Sequence, residues 1–368
     1  MLKLGTIAFG GPAVHVAMLR EETVRRRRWL EDDEFLDLFG AVSVLPGPTS
    51  TQLAIVLSRR RAGWRGLVLG GACFIAPAMA IVIAMAWAYR RYHATPTGGG
   101  VLHGVGPVVV AIVAVALWDL ARVALKRRWY IGIGALAIAG YAAGINPLLP
   151  LLAGGVTVAL VANRNTLGRG THALLPLLPV VLPSTGTTRV RPGMGAVAAE
   201  FAKLGVIVFG SGYALLAFLR ADLVGHLHWL TDQQVLDAVA AGQITPGPVF
   251  TTATFVGYLL GGIPLALVAT VGIFVPSFLL VAILEPHIGR IRASAWLGPA
   301  LDGITVASLG LMAAVTAQLG RHAIHDALTA LLAVVSLAML VRWHPNVVWL
   351  VAGGAAIGIT HALAVSPP

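Results

Sequence analysis

The chain has 368 residues, of which 57% are hydrophobic and only 11% are charged. Soluble domains carry about a quarter charged residues, so the composition excludes an ordinary soluble protein. The formal net charge is +11, but the basic residues lie in short loops between apolar runs, which argues against nucleic-acid binding and is typical of orientation signals in membrane proteins.

Long apolar runs follow one another along the chain, and several reach the ~20 residues needed to cross ~30 Å of hydrocarbon. They are Gly66–Tyr89, Val105–Ala121, Ile131–Gly144, Leu148–Ala162, Ile263–Leu284, Ile304–Leu319, Leu328–Val341 and Val347–Ala364. Their lengths predict an all-α polytopic protein rather than a barrel of alternating ten-residue segments. We expect a multi-pass protein in the lipid bilayer of a prokaryotic cytoplasmic (inner) membrane.

The chain contains two copies of one unit. The segment KLGTIAFG begins at Lys3, and KLGVIVFG begins 200 residues later at Lys203. This offset, shortened by one residue in the later part, also aligns Arg20/Arg220, Asp37/Asp237, Pro46-Gly47-Pro48/Pro246-Gly247-Pro248, Pro77/Pro276 and Gly104/Gly303. Apolar periodicity alone would not hold these residue types in register. The predicted domains are a first repeat at 3–162, a linker and start of the second repeat at 163–202, and a second repeat at 203–361.

A Pro-Gly-Pro segment interrupts each copy inside an otherwise apolar stretch. In the first copy Arg25–Arg28 precede it and Arg59–Arg61 follow it, which places both of its ends on the cytoplasmic side. Each arm is also too short to cross a membrane at 1.5 Å per residue. We therefore predict a re-entrant helical hairpin, and a broken helix that does span is the alternative.

The remaining segments predict about five crossings per copy, which are roughly 3–20, 62–89, 101–125, 130–145 and 147–162 in the first copy. An odd number of crossings makes the second copy inverted. The loss of both basic runs at the matched positions of the second copy agrees with that orientation. The apolar stretch Leu174–Leu182 is too short to cross, and its role stays open.

Inverted repeats with broken helices are common in secondary transporters, where the broken segments form the substrate site. A helix that begins after the second proline aims its free N–H groups and its positive dipole end at the turn, which favours an anion. The candidate binding residues are Gly10, Gly11, Pro12, His15, Pro46, Gly47, Pro48, Thr49, Ser50, Thr51, Gly210, Ser211, Gly212, Gln243, Pro246, Gly247, Pro248, Thr251 and Thr252. The structural alternative is a turn between two interfacial helices that Thr and Ser cap.

Charged residues near the membrane are candidates for substrate attraction or proton coupling. They are Lys3, Lys203, Asp37, Asp237, Arg20 and Arg220. The sequence has no nucleotide-binding loop, no metal-spaced cluster of Cys and His, and no nucleophile constellation. We therefore expect no enzyme and no cofactor, with energy drawn from an ion gradient or from the substrate gradient.

The stretch FGGPAVHVAMLREETVRRRRWLEDDEFLDLFGAVSVLPGPTSTQLAI, followed by RRAGWRGLVLGGACFIAP, resembles the chromate ion transporter family in its long two-domain form. The resemblance implies chromate efflux from the cytoplasm, with protons as the coupling ion and sulfate as a competing or related substrate. It points to the same glycines, prolines and His15. The second copy departs from the pattern, with Ser211-Gly212 for Gly-Pro and Leu215 for the histidine.

Three other functions compete with chromate efflux. They are a carrier of sulfate or another oxyanion, an anion channel, and a membrane scaffold that transports nothing. The sequence leaves the coupling ion, its stoichiometry and the oligomeric state open, and a homodimer is one possible assembly.

Overall fold

A computed structural model describes residues 1–8, 11–43, 45–93, 95–164, 192–208, 214–285 and 294–365, with the backbone alone at 11–13, 96 and 365. These residues form helices and no strand.

The helices of the first copy are α1 (Leu2–Ile7), α2 (Gly11–Arg20), a π-helical turn (Glu21–Arg26), α3 (Asp32–Val42), α4 (Thr49–Tyr92), α5 (Pro96–Ala124), α6 (Tyr130–Ala142) and α7 (Leu148–Ala162). Those of the second copy are α8 (Met194–Ile207), α9 (Ala214–Leu219), a π-helical turn (Arg220–His226), α10 (Asp232–Ile244), a 3₁₀ turn (Val249–Thr251), α11 (Thr252–Leu284), α12 (Leu297–Ala323), α13 (Ala327–Trp343) and α14 (Val347–Val365). The order of elements is the same in both copies. The stretch 174–182 lies outside the described residues.

The two longest helices reverse direction near their start. Gly63 in α4 and Gly262 in α11 have φ of +58° and +70°, which glycine adopts at little cost. In α11 the hydroxyls of Thr254 and Thr270 lie 2.7 Å apart, whereas a continuous helix would separate them by about 24 Å. Each long helix therefore consists of a short arm folded back on a long arm.

The segment around the first Pro-Gly-Pro turn begins and ends at the same place. Glu34 at the start of α3 accepts a hydrogen bond of 2.7 Å from Arg60 at the end of the short arm of α4. Arg60 also pairs with Glu285 at the end of α11, at 3.1 Å. The segment is thus a hairpin whose two ends are joined by an ion pair.

The first predicted crossing of each copy is divided into two short helices. Lys203 in α8 forms an ion pair of 3.0 Å with Asp222 in the following π-helical turn, although a continuous helix would hold them about 28 Å apart. The first segment of the second copy therefore folds back on itself. Four apolar helical segments then follow in each copy, and they correspond to the four remaining predicted crossings.

The two copies exchange packing partners. Helix α5 packs on α13 and α14 of the second copy, and its counterpart α12 packs on α6 and α7 of the first. These contacts need glycine, because a Cβ on Gly104 would lie 1.9 Å from the Gly354 carbonyl oxygen and one on Gly303 would lie 2.2 Å from that of Gly154. The backbones of the two copies therefore touch at two places, one on each of the matched helices α5 and α12.

The matched helices α5 and α12 run in opposite directions. Lys126, just after the end of α5, lies 2.8 Å from Asp302 near the start of α12. At the other end, His103 of α5 lies 3.0 Å from Asp326, just after the end of α12. Helices α5 and α12 therefore lie antiparallel to each other.

The outer surface of the bundle is apolar. Five described helices are long and apolar enough to span a membrane. Large exposed tryptophans lie on this surface, as in the aromatic belts of membrane proteins; they include Trp64, Trp87, Trp118, Trp343 and Trp349. The predicted all-α polytopic membrane fold with a tandem repeat is confirmed.

Candidate functional site

Each Pro-Gly-Pro turn is hydrogen-bonded to the other copy. The Gly47 N–H donates to the Val208 carbonyl at 2.7 Å, and the Gly247 N–H donates to the Ala8 carbonyl at 2.9 Å. Ala8 and Val208 are matched positions, directly after α1 and α8. Each turn therefore closes on the divided first segment of the opposite copy.

Only glycine fits at the centre of these turns. Gly47 and Gly247 have φ of +114° and +92°, a region that residues with a Cβ rarely adopt. A Cβ on Gly47 would lie 2.6 Å from Ser277 Oγ, and one on Gly247 would lie 2.9 Å from the Ala78 Cβ. Ser277 and Ala78 are also matched positions, so both turns dock at the same point of the opposite copy, with a hydroxyl at one point and a methyl group at the other.

The surroundings of the first copy's turn, which include Ser277 of the second copy, are polar and incompletely hydrogen-bonded among the described residues. Among the described residues, no side-chain hydrogen bond caps the α4 N-terminus after Pro48. Thr51 and Gln52 are fully buried there, and Gln52 donates to the Pro46 carbonyl. Three further buried atoms find no hydrogen-bond partner among the described residues; they are Thr51 Oγ1, Gln52 Oε1 and Ser277 Oγ. Because buried polar atoms are nearly always paired, this cluster indicates a place for a polar ligand or water.

His15 connects this polar cluster to the turn of the second copy. Its Nε2 lies 2.9 Å from the Ala8 carbonyl and donates to it, and its Nδ1 lies 3.3 Å from Ser50 Oγ. Ala8 is also the acceptor for the Gly247 N–H. The histidine is 1% exposed. Leu215, its match in the second copy, has no such function, so the site is asymmetric.

The predicted hydroxyl donors of the second copy are used within their own turn. Thr251 donates to the Pro248 carbonyl and Thr252 to the Val249 carbonyl, both at 2.8 Å. Gln243 is buried, and its Nε2 lacks a partner in the part of the chain that is described. Of the remaining candidates, Gly10, Gly210, Ser211 and Gly212 lie outside the described residues, and Gly11 and Pro12 are described by their backbone alone.

The predicted cations form ion pairs at helix ends. Arg20 binds Asp32 at 2.7 Å, which lowers the pKa of that carboxyl. The matched Arg220 binds Asp232 at 2.7 Å. Lys203 pairs with Glu200 at 2.7 Å, in addition to Asp222, whereas Lys3 lies on an exposed part of α1.

The two matched aspartates differ in environment. Asp37 is exposed, but Asp237 is only 5% exposed. Asp237 accepts hydrogen bonds from the Tyr89 hydroxyl at 2.8 Å and from Gln233 Nε2 at 2.9 Å. It borders a cavity of about 310 Å³ that Tyr89 and His93 also line.

Sequence reasoning did not find Ser277, Gln52 or Tyr89 as site residues. Ser277 follows Pro276, whose match to Pro77 was visible, but its docking against Gly47 depends on the packing of the two copies. Tyr89 lies 148 residues from its partner Asp237. No local pattern could have connected them.

The model of the chromate transporter family matches residues 1–159 and again residues 195–359. The chain belongs to the chromate transporter family. A probable chromate transport protein of Synechococcus elongatus is 34% identical over 91% of this chain and 87% of its own length. A chromate transport protein of Cupriavidus metallidurans is 32% identical over 97% of this chain and 90% of its own. The chromate transport protein of Pseudomonas aeruginosa is 31% identical over 87% and 79%. No solved structure matches this member of the chromate transporter family.

Proposed function

We propose that this protein carries chromate out of the cytoplasm across the inner membrane of a prokaryote, with the dianion held between the two Pro-Gly-Pro turns. Family membership and the names of the bacterial relatives support chromate as the substrate. The observation that carries the site is the set of buried polar atoms near the first Pro-Gly-Pro turn that have no partner among the described residues: Ser277 and Gln52 lie beside Gly47, and Thr51 lies in the first turn of α4. Hydroxyl hydrogens there turn towards a tetrahedral oxyanion, and the uncapped α4 N-terminus adds the positive end of a helix dipole.

We further propose that the two copies have inverted topology in the membrane. The antiparallel run of α5 and α12 supports this, because a repeat related by an axis along the membrane normal would keep matched helices parallel. The Arg60–Glu34 pair supports a re-entrant first hairpin, since it joins the two ends of that segment. The two turns then reach the site from opposite faces.

The experiment that tests the function is chromate flux into proteoliposomes, with an imposed pH gradient and with sulfate as competitor. Uphill chromate movement that a protonophore abolishes is the expected result. Chromate flux that only follows its own gradient would favour an anion channel. Flux of sulfate without flux of chromate would identify sulfate as the substrate. Liposomes that move no anion would contradict transport altogether.

Replacement of Thr51 by valine is expected to reduce chromate transport at least tenfold. Valine keeps the shape of the side chain but removes the hydroxyl, and a hydrogen bond to a charged group is worth about 1.5–3 kcal/mol. The matched control is Thr251→Val, whose hydroxyl is bonded to Pro248 and whose loss we expect to cost less than threefold. Equal losses in the two variants would contradict a specific role of the unpartnered Thr51 hydroxyl in binding.

Proton coupling is proposed to use Asp237. The Asp237→Asn variant keeps the hydrogen bond from Tyr89 but cannot exchange a proton, so we expect chromate flux down its own gradient to persist while proton-driven accumulation is lost. Exposed Asp37 provides the matched control, and Asp37→Asn should accumulate chromate as the wild type does. Full accumulation by Asp237→Asn would exclude this carboxylate from coupling.

A further inference from the structure

Three histidines and one aspartate meet at one end of the bundle, on elements from both copies. His103 belongs to α5 of the first copy. His325 and Asp326 connect α12 to α13, and His361 belongs to α14. The cluster is remote in sequence from both Pro-Gly-Pro turns and contains none of the residues of the chromate site.

The donor atoms of this cluster converge. His103 Nε2 lies 3.0 Å and His325 Nε2 lies 3.9 Å from Asp326 Oδ2. One ligand atom from each of His103, His325 and Asp326 lies within 4.8 Å of the others. The His361 ring stacks on that of His103, with centroids 5.5 Å apart. His103 Nε2 is buried but makes no aligned hydrogen bond with any described residue, so its in-plane lone pair or proton lacks a directed partner.

The first turn of α13 fixes the orientation of the Asp326 carboxylate. Asp326 Oδ1 caps α13 by accepting from the Thr329 N–H at 2.7 Å and from its hydroxyl at 2.8 Å. These bonds fix the carboxylate and leave Oδ2 beside the imidazoles of His103 and His325. Carboxylates that ligate metal ions are usually held by further hydrogen bonds in this way.

We propose that His103, His325 and Asp326 bind a divalent transition-metal ion of the zinc class, with water as the fourth ligand. Two imidazoles and one carboxylate are a donor set that suits Zn²⁺. Tetrahedral Zn²⁺ with bonds of about 2.0–2.1 Å needs donor separations of about 3.3–3.5 Å. The two histidine–aspartate separations of 3.0 and 3.9 Å lie on either side of these values, and all three donor atoms lie within 4.8 Å of one another. The ion would fasten α5 of the first copy to the α12–α13 connection of the second.

The test is Zn²⁺ binding to the purified full-length protein, without a histidine tag and stripped with a chelator, measured by calorimetry and by metal analysis after dialysis. We expect one ion per chain in the wild type. The double variant His103→Gln/His325→Gln should bind at least about tenfold more weakly. The control is His93→Gln, because His93 stacks on Tyr89 outside the cluster and should bind as the wild type does.

A second readout separates the site from a merely structural effect of the mutations. Co²⁺ in place of Zn²⁺ is expected to give visible absorption bands of a four-coordinate site in the wild type and in His93→Gln, and none in the double variant. Size-exclusion elution and chromate flux report whether the double variant is assembled. Undiminished binding in an assembled double variant, or no binding by the wild type at about 0.1 mM metal, would overturn the proposal.

Discussion

Replacement of Gly47 by alanine is expected to reduce chromate transport to below about a tenth of the wild-type rate without preventing membrane insertion. The backbone at this position has φ of +114°, and the new Cβ would approach Ser277 Oγ to 2.6 Å and Gln52 Nε2 to 2.8 Å. Strain of this kind costs about 1–3 kcal/mol, and here it moves the turn that carries the α4 N-terminus. The measurement is chromate flux in proteoliposomes that contain equal amounts of each protein.

The control for Gly47 is another glycine that faces open space. A Cβ on Gly132 in α6 would meet nothing within 4 Å, so Gly132→Ala should transport at the wild-type rate. A Gly47→Ala protein that is assembled and transports normally would contradict a substrate site at this turn. An unassembled protein would instead assign the turn a role in folding, so the amount of monodisperse protein is measured alongside.

Replacement of Gly104 by leucine is expected to prevent assembly of the two copies. Even a Cβ would lie 1.9 Å from the Gly354 carbonyl oxygen, and backbone atoms cannot rotate away as a side chain does. Overpacking of a well-packed core costs about 1–3 kcal/mol, and more where the backbone must move. We expect little folded protein in detergent, detected as loss of the monodisperse peak and of thermal stability.

Gly106, two residues along the same helix, provides the control for Gly104. Its added Cβ would lie 3.5 Å from the Ala323 methyl group, an ordinary contact. Gly106→Ala should therefore assemble normally and melt within a few degrees of the wild type. Equal stability of the Gly104→Leu and Gly106→Ala proteins would show that the α5–α14 contact does not hold the copies together.

The repeat and its turns were predictable because each turn needs glycine at its centre, where the backbone has a positive φ that other residues rarely adopt. Gly47 and Gly247 recur at one offset because both occupy left-handed conformations. Apolar length predicted the later helices of each copy for an equally local reason. These features are properties of short segments and need no knowledge of the partner copy.

The rest depends on contacts between distant residues. The fold-back of the first segment in the second copy brings Lys203 to Asp222, a contact that the spacing of these two residues does not reveal. The different burial of Asp37 and Asp237 follows from Tyr89, which only tertiary packing brings near the second. From the sequence, inversion of the second copy is predicted by the odd number of crossings per copy. From the structure, it is supported by the antiparallel directions of α5 and α12.

The exchanged hydrogen bonds of the two turns bear on the ancestry of such chains. A chain with a single copy could complete its turn only with the first segment of a second molecule, so an unfused ancestor would have worked as a symmetric pair with each residue serving twice. After fusion, each of two matched positions serves only one half of the site. Ser277 and Ala78, or His15 and Leu215, can then diverge, so that one gene acquires two specialised half-sites where a homodimer must keep two identical ones.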